Sequence, residues 1–200
     1  MKSNIHNNYQ YDKTIFGKTD FKEKKIKNST FEECKFNNID FSESKFINCK
    51  FTDCNFTESN LSLCAFTNSK FENIKFENSK IIGINWTLLN WENVISPTPM
   101  SFKSCNISYS SFMSLKLRNL SITECEIYEV DFTECDLYGT DFTKSDLNGS
   151  RFQNTNLENC NFSDAINYNI NPNENKIKGS KFSIPDVLNL LNPFKIHLNK

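Results

Sequence analysis

Cysteine and histidine are the residues of this 200-residue chain that could bind a metal or supply a nucleophile and its base. Zinc sites gather several of these side chains, and a catalytic thiol needs a base within hydrogen-bond reach. The chain has eight cysteines but two histidines, His6 and His197, one near each end of the sequence. The sequence therefore predicts neither a Cys–His pair nor a metal centre.

The cysteines follow a spacing of five residues and not the close pairs of a metal-binding motif. Each lies two residues before a bulky apolar residue, as Cys34 does before Phe36. The eight are Cys34, Cys49, Cys54, Cys64, Cys105, Cys125, Cys135 and Cys160. Small residues occupy most of the equivalent positions. We expect all eight thiols to face inward as small core side chains, which in a reducing compartment neither bind metal nor form disulfides.

Glycine spacing and apolar content exclude other kinds of site. The five glycines, Gly17, Gly83, Gly139, Gly149 and Gly179, form no phosphate-binding motif. No apolar run reaches the roughly 18 residues of a membrane span, and Met1–Lys13 lacks the apolar stretch of a signal peptide. We expect a cytoplasmic protein that is not an enzyme, needs no cofactor or small-molecule substrate, and does not enter a membrane.

Bulky apolar residues recur every five positions through most of the chain. All 19 phenylalanines except Phe182 and Phe194 fit this spacing, in one block at 16–91 and a second, shifted by one residue, at 102–162. An α-helix has a period of 3.6 residues and a strand a period of two. The chain must therefore turn a corner every five residues and place one bulky side chain inward on each side.

Like residues also recur every twenty positions, which indicates four sides per coil. Phe16, Phe36, Phe56 and Phe76 form one such row. Stacked coils with like side chains above one another fill a core evenly. The repeats predict an all-β solenoid of about seven coils, with adjacent coils about 4.8 Å apart.

Tandem five-residue units with a central Phe or Leu and a small residue two positions earlier resemble the pentapeptide-repeat family. The resemblance covers about residues 14–183 and implies a right-handed quadrilateral parallel β-helix. Cysteine and serine replace the alanine that is commonest in that family at the small position. This change should leave the fold intact.

The extent of the repeats divides the chain into three expected segments. These are an N-terminal tail or cap at 1–13, the β-helix at 14–183 with an interruption at 92–101, and a C-terminal capping helix with a possible dimer segment at 184–200. The interruption shifts the five-residue register by one, so either a bulge absorbs one residue or a short loop leaves the rod. The candidate loop consists of Ser96, Pro97, Thr98 and Pro99. In the quinolone-resistance proteins that the chain resembles, projecting loops help to engage the target.

The C-terminal segment is expected to cover the last coil. Ser183 and Asp186 are suited to cap a helix that Pro193 ends. Apolar and polar residues then alternate at 194–198, as they do in an edge strand.

The apolar side chains of this segment allow two interpretations. They form either a lid alone or a lid that is also a symmetric dimer interface. The candidate interface consists of Val187, Leu188, Leu191, Phe194 and Ile196. Dimerisation through the C-terminal end is a property of the gyrase-interacting members of the family, so the resemblance implies a homodimer.

Charge is balanced overall, with 23 Lys and Arg against 24 Asp and Glu, but it is uneven along the chain. Residues 121–165 are acidic, and Lys144 and Arg151 are their only basic residues. The candidate partner-binding surface consists of Glu124, Glu126, Glu129, Asp131, Glu134, Asp136, Asp141 and Asp146. Spaced carboxylates on a rod about as wide as duplex DNA could imitate phosphates, or they could only solubilise the coils beside an apolar cap.

Two functions are compatible with these features. The resemblance implies a DNA mimic that binds DNA gyrase or topoisomerase IV, protects against or modulates topoisomerase poisons, and makes no direct contact with nucleic acid. The alternative is a protein–protein interaction scaffold without topoisomerase activity. The near-neutral total charge and the lysines of the first coils count against mimicry.

Overall fold

Each five-residue unit forms one side of a coil, with a short extended segment around the inward central residue and a tight corner after it. The computed structural model describes residues 4–18, 21–92 and 99–196. In the segment Thr30–Glu32, for example, only the central Phe31 is buried. The repeats together build a right-handed quadrilateral parallel β-helix of about eight turns.

The described ranges contain fifteen strands and two 3₁₀ segments, and every strand pairing is parallel. The strands are β1 (Gln10–Asp12), β2 (Ile15–Gly17), β3 (Lys25–Lys27), β4 (Thr30–Glu32), β5 (Lys35–Asn37), β6 (Lys45–Ile47), β7 (Lys50–Thr52), β8 (Asn55–Thr57), β9 (Ala65–Thr67), β10 (Lys70–Glu72), β11 (Ile74–Glu77), β12 (Met100–Lys103), β13 (Ser121–Thr123), β14 (Asn161–Phe162) and β15 (Lys181–Phe182). The 3₁₀ segments are a turn at Trp86–Leu88 and the C-terminal 3₁₀ helix, Asp186–Phe194.

The strands stack into four faces, which follow one another along the chain. Face 1 has the order β2-β5-β8-β11-β12-β13 and includes the β14-β15 pair near its C-terminal end. Face 2 is held by single bridges at 40–166. Face 3 starts with β3-β6-β9 and continues as bridges at 85–151. Face 4 starts with β1-β4-β7-β10 and continues as bridges at 116–176.

The core of the first coils consists largely of stacked aromatic columns. Phe56 lies between Phe36 and Phe76, with ring centroids 4.4 and 5.1 Å away and nearly parallel planes. Around one coil the contacts are edge-to-face, as between Phe36 and Phe41. Both geometries suit the charge distribution of aromatic rings. The twenty-residue period of the sequence thus becomes a column in which like rings stack.

At most corners, the residue two positions after the centre has a left-handed backbone conformation. Asparagine adopts this conformation more readily than most residues. At the corner between faces 3 and 4, each asparagine also donates from its Nδ2 to the Oδ1 of the asparagine in the coil before, at 2.8–3.3 Å. This asparagine ladder consists of Asn8, Asn28, Asn48, Asn68 and Asn90.

The interruption is longer than the one-residue shift expected from the sequence. Phe102 pairs with Phe76, so that neighbouring coils are 26 residues apart there and not twenty. Six residues are therefore inserted; a five-residue register cannot distinguish six extra residues from one. Pro99, at the edge of the insertion, is buried, and its carbonyl accepts from the Ile74 N–H. Ser96, Pro97 and Thr98 lie outside the described residues.

The solenoid begins earlier than the expected boundary at residue 14. Strand β1 pairs with β4, and Tyr11 stacks on Phe31 with a centroid distance of 5.1 Å. Asn8 already belongs to the asparagine ladder. Described residues of the expected tail thus form about half of a first coil. The sequence missed it because Tyr11 is not one of the Phe, Ile or Leu centres.

The polar stretch at 167–175 keeps the twenty-residue period. Phe162 and Phe182 remain paired, and their rings stack at 5.0 Å. Asn175 occupies the small inward position, where its Oδ1 accepts from the Thr155 N–H at 2.9 Å. Tyr168, which is 1% exposed, fills the core beside Phe162. The last coil is therefore complete, but its inward positions include Tyr168 and Asn175 where other coils have the repeat residues.

Three expectations for the C-terminal segment are wrong. Ser183 does not cap the helix, because its Oγ accepts from the Asp164 N–H in the preceding coil. Pro193 does not end the helix, which continues to Phe194 and stops where Lys195 turns left-handed. The residues 194–196 form no edge strand. The Leu198 position lies outside the described part of the chain.

Candidate partner-binding surfaces

All eight cysteines are buried, as their spacing predicted. Burial raises the pKa values of Cys64, Cys135 and Cys160 to about 12. These thiols therefore stay protonated near neutral pH and are poor nucleophiles. Within the described ranges, no three His, Cys, Asp or Glu side chains lie close enough to hold a metal ion.

The acidic residues encircle the rod as a band. Six of them lie in one coil, and their order around it is Glu124 (corner of faces 1 and 2), Glu126 (face 2), Glu129 (corner of faces 2 and 3), Asp131 (face 3), Glu134 (corner of faces 3 and 4) and Asp136 (face 4). Asp141 and Asp146 follow on faces 1 and 2 of the next coil. We call these eight residues the acidic band. A five-residue spacing visits each face in turn, so carboxylates close in sequence are spread around the coil.

The aspartates of the band are structural. Each accepts a hydrogen bond from the N–H two residues later, as Asp131 does from Thr133 at 3.0 Å and Asp141 from Thr143 at 3.0 Å. This bond closes the corner, in the manner of an Asx turn. None of the four aspartates is fully exposed. They are therefore poor candidates for direct contact with a partner.

Two of the aspartates are also paired with arginines. Arg151 donates from Nη2 to Asp131 Oδ2 at 2.9 Å, and Arg118 donates from Nε to Asp136 Oδ2 at 2.6 Å. Burial alone would raise the pKa of each carboxyl, but the hydrogen bonds, above all those from Thr133 and from Arg118, outweigh it and hold each pKa below its usual value. Both carboxylates are charged at neutral pH, but much of that charge is neutralised locally.

The glutamates of the band point outward. Glu124, Glu126, Glu129 and Glu134 are all exposed. Hydroxyls of the preceding coil orient two of them, since Ser104 Oγ donates to Glu124 at 3.0 Å and Ser114 Oγ donates to Glu134 at 2.9 Å. These neutral donors fix the carboxylates in place and leave their charge intact. The surface that a basic or DNA-binding partner could contact is therefore this set of four.

The C-terminal helix leaves an apolar patch exposed beyond the last coil. Leu190 packs on the core, and Val187 and Leu191 are half-buried. The C-terminal apolar patch consists of Ile184, Leu188, Phe194 and Ile196, which are 85%, 45%, 47% and 54% exposed. Three of these belong to the interface expected from the sequence. Ile184 was missed because it lies between Ser183 and Pro185, outside the apolar run of the helix.

The described residues contain two helical segments, both of the 3₁₀ type. Neither is long and apolar enough to cross a bilayer. The described part of the chain is a β-solenoid whose core is filled by side chains.

Sequence comparison agrees with this class of protein. The model of the family described as "Pentapeptide repeat region" matches residues 6–75, 24–112 and 96–162. The chain therefore belongs to the pentapeptide-repeat family. No curated protein sequence matches it.

A solved structure, that of QnrB1, has the same architecture. Full-length QnrB1, a plasmid-mediated fluoroquinolone resistance protein, is 21% identical, with 96% of this chain and 99% of that chain covered and a TM-score of 0.54. HetL of Nostoc sp. strain PCC 7120, a pentapeptide-repeat protein involved in the regulation of heterocyst differentiation, is 14% identical, with coverages of 88% and 84% and a TM-score of 0.39. At such identities the likeness to QnrB1 concerns the fold alone.

Proposed function

We propose that the protein is a non-enzymatic binding protein that presents its acidic band to the DNA-binding surface of DNA gyrase or topoisomerase IV. The observation that carries the proposal is the set of four exposed glutamates on one coil, two of which are held in place by serine hydroxyls. The fold shared with QnrB1, a fluoroquinolone resistance protein, supports this choice of partner.

The acidic band lies close to the end at which two copies could meet. The coil that contains Glu124 is separated by one coil from that of Asn161–Phe162, and β15 follows β14. At about 4.8 Å per coil, the band is roughly 15 Å from the last strand. A two-fold axis through the C-terminal apolar patch would place two acidic bands symmetrically about the middle of a dimer. Such a homodimer is part of the proposal.

A DNA-supercoiling assay with gyrase tests the proposal. The protein is titrated at micromolar concentrations with and without a fluoroquinolone. We expect it to inhibit supercoiling, or to restore supercoiling that the drug blocks. Either effect requires the outward carboxylates of this protein, because they would occupy the places of DNA phosphates on the basic surface of gyrase.

Charge reversal identifies the surface. The triple variant Glu124→Lys, Glu129→Lys, Glu134→Lys should abolish the effect. A matched control, Glu33→Lys, Glu43→Lys, Glu58→Lys, changes exposed glutamates at the same left-handed corner position in the first coils, and it should retain the effect. No effect of the wild type, or equal losses in both variants, would contradict the proposal and favour an interaction scaffold for another partner.

A further inference from the structure

Face 3 carries lysines but no carboxylates across its first coils. Between Lys25 and Met113, none of its outward positions is Asp or Glu, and the first carboxylate is Asp131. The lysines of the first coils therefore have no carboxylate on their own face, although the total charge of the chain is balanced.

The lysines stand beside one another. Lys25 of β3 and Lys45 of β6 are register partners, and Lys27 lies on the same outward side of β3. Strand geometry puts the first two about 4.8 Å apart and Lys25 and Lys27 about 6.6 Å apart at their backbones. Like charges in register destabilise a sheet, so a compensating anion would be bound favourably there.

No carboxylate supplies that compensation. Among the residues that the structure describes, none of the three lysines lies within 4.0 Å of an Asp or Glu oxygen. The nearby corner glutamates, Glu23 and Glu43, both pair with Lys22. Within the described ranges, the three lysines therefore form a cationic surface without a paired carboxylate.

An aromatic ring borders the lysines. The Asn8 N–H donates to the Lys27 carbonyl at 2.9 Å, which places the next residue, Tyr9, beside the end of β3. Tyr9 is 47% exposed, and its ring rests on that of Tyr11 at 4.6 Å. An exposed aromatic ring beside a row of lysines is typical of surfaces that bind single-stranded nucleic acid. The bases stack on the ring, and the phosphates bind the lysines. An acidic protein would instead require an apolar anchor, and Ile47, half-buried, is the one apolar outward residue of β3 and β6.

We propose that Lys25, Lys27, Lys45 and Tyr9 form a binding surface for single-stranded nucleic acid. The family resemblance led us to expect no direct nucleic-acid contact. The fold changes this expectation by collecting lysines from two coils on one face. The surface lies at the opposite end of the rod from the acidic band and does not depend on the topoisomerase proposal.

Fluorescence anisotropy with a labelled oligothymidylate strand tests this surface, using the full chain at low salt. We expect micromolar binding whose logarithmic dependence on salt has a slope of about −2, since each of three phosphate contacts contributes about −0.7 on a single strand. Lys25→Glu with Lys45→Glu should weaken binding at least tenfold. Tyr9→Leu should weaken it severalfold and leave the salt slope unchanged.

The control uses a second pair of lysines in register. Lys50 and Lys70 face each other on face 4, but Lys50 pairs with Glu72 at 3.6 Å. Lys50→Glu with Lys70→Glu makes the same change in net charge and should alter binding less than twofold. Absence of binding by the wild type, equal losses in the two double variants, or equally effective competition by poly-glutamate would each overturn the proposal.

Discussion

Arg151 lies one coil beyond Asp131 and donates from its Nη2 to the Asp131 Oδ2 at 2.9 Å. The two residues are bridge partners on face 3, twenty positions apart in sequence. Their contact means that the acidic band combines carboxylates that hold the solenoid together with carboxylates that face solvent.

Stability should decrease in acid through Asp131 and Asp136. Folding lowers the pKa of both carboxyls. Their contribution is therefore fully present above the unfolded value of about 3.9 and is lost as the pH falls through the lower folded values. Asp131→Asn should cost about 1–2 kcal/mol at pH 7 and should flatten the decline of stability in acid. Urea unfolding between pH 7 and 3 measures both effects.

The exposed Glu58 provides the comparison for that experiment. Glu58→Gln should leave both the stability and its pH dependence close to those of the wild type. If Asp131→Asn behaves in the same way, the Arg151 pair contributes nothing measurable.

Phe56→Ala should open a cavity in the middle of an aromatic column. Phe56 is 0% exposed and stacks on rings in both neighbouring coils. The expected loss is about 3–5 kcal/mol in the free energy of unfolding, measured by urea denaturation. Phe56→Leu should cost much less, because Leu61 fills the corresponding position on the next face. Equal costs for the two variants would contradict this account of the core.

Asn48 should be sensitive both to backbone strain and to the loss of its ladder. Its φ is +53°, and its side chain bonds to those of Asn28 and Asn68. Asn48→Ala removes these bonds and also strains the left-handed corner, at a cost of about 2 kcal/mol. Asn48→Gly removes the bonds alone and should cost about half as much. Thermal unfolding of the two variants separates the contributions, and equal losses would show that the backbone conformation is unimportant.

Leu188→Asp with Phe194→Asp should convert a dimer into a monomer. Both side chains are nearly half exposed in the C-terminal apolar patch, so charges there should disrupt an interface without unfolding the chain. Sedimentation velocity measures the change. Leu63→Asp with Leu88→Asp replaces exposed leucines away from this end and should leave the dimer intact. A monomeric wild type, or a dimer that survives the first pair of changes, would exclude this interface.

The cysteines should resist a thiol reagent until the chain unfolds. All eight are buried, none more than 3% exposed, so a reagent in solution cannot reach their sulfur atoms. Ellman's reagent at pH 8 should therefore react slowly with native protein and rapidly with all thiols in urea. Fast reaction of any cysteine in the native protein would show that its inward placement is wrong.

The sequence predicted the repeat and its inward residues because both are local properties. A bulky residue every five positions and a small one two positions earlier are visible within a short stretch. Phe31, Phe56 and Cys34 are buried where that pattern placed them. The left-handed corners were not predicted, although the asparagines and glycines among them suit that backbone conformation.

Features that depend on contacts between coils could not be predicted in this way. The five-residue register could not show that the insertion before Phe102 is six residues long, since only pairing with Phe76 reveals it. Nor could it show that Ser183 accepts a bond from Asp164 and does not cap a helix. The partner in each case lies about one coil away along the chain.

What the sequence by itself determined is the solenoid: its four-sided coil, its core and its family. The tertiary structure decided which charged side chains share a face, and hence that Lys25 lies beside Lys45 and Asp131 beside Arg151. The reason is physical. A side chain's direction is set by its position within its own repeat, whereas its neighbours are set by how the coils stack.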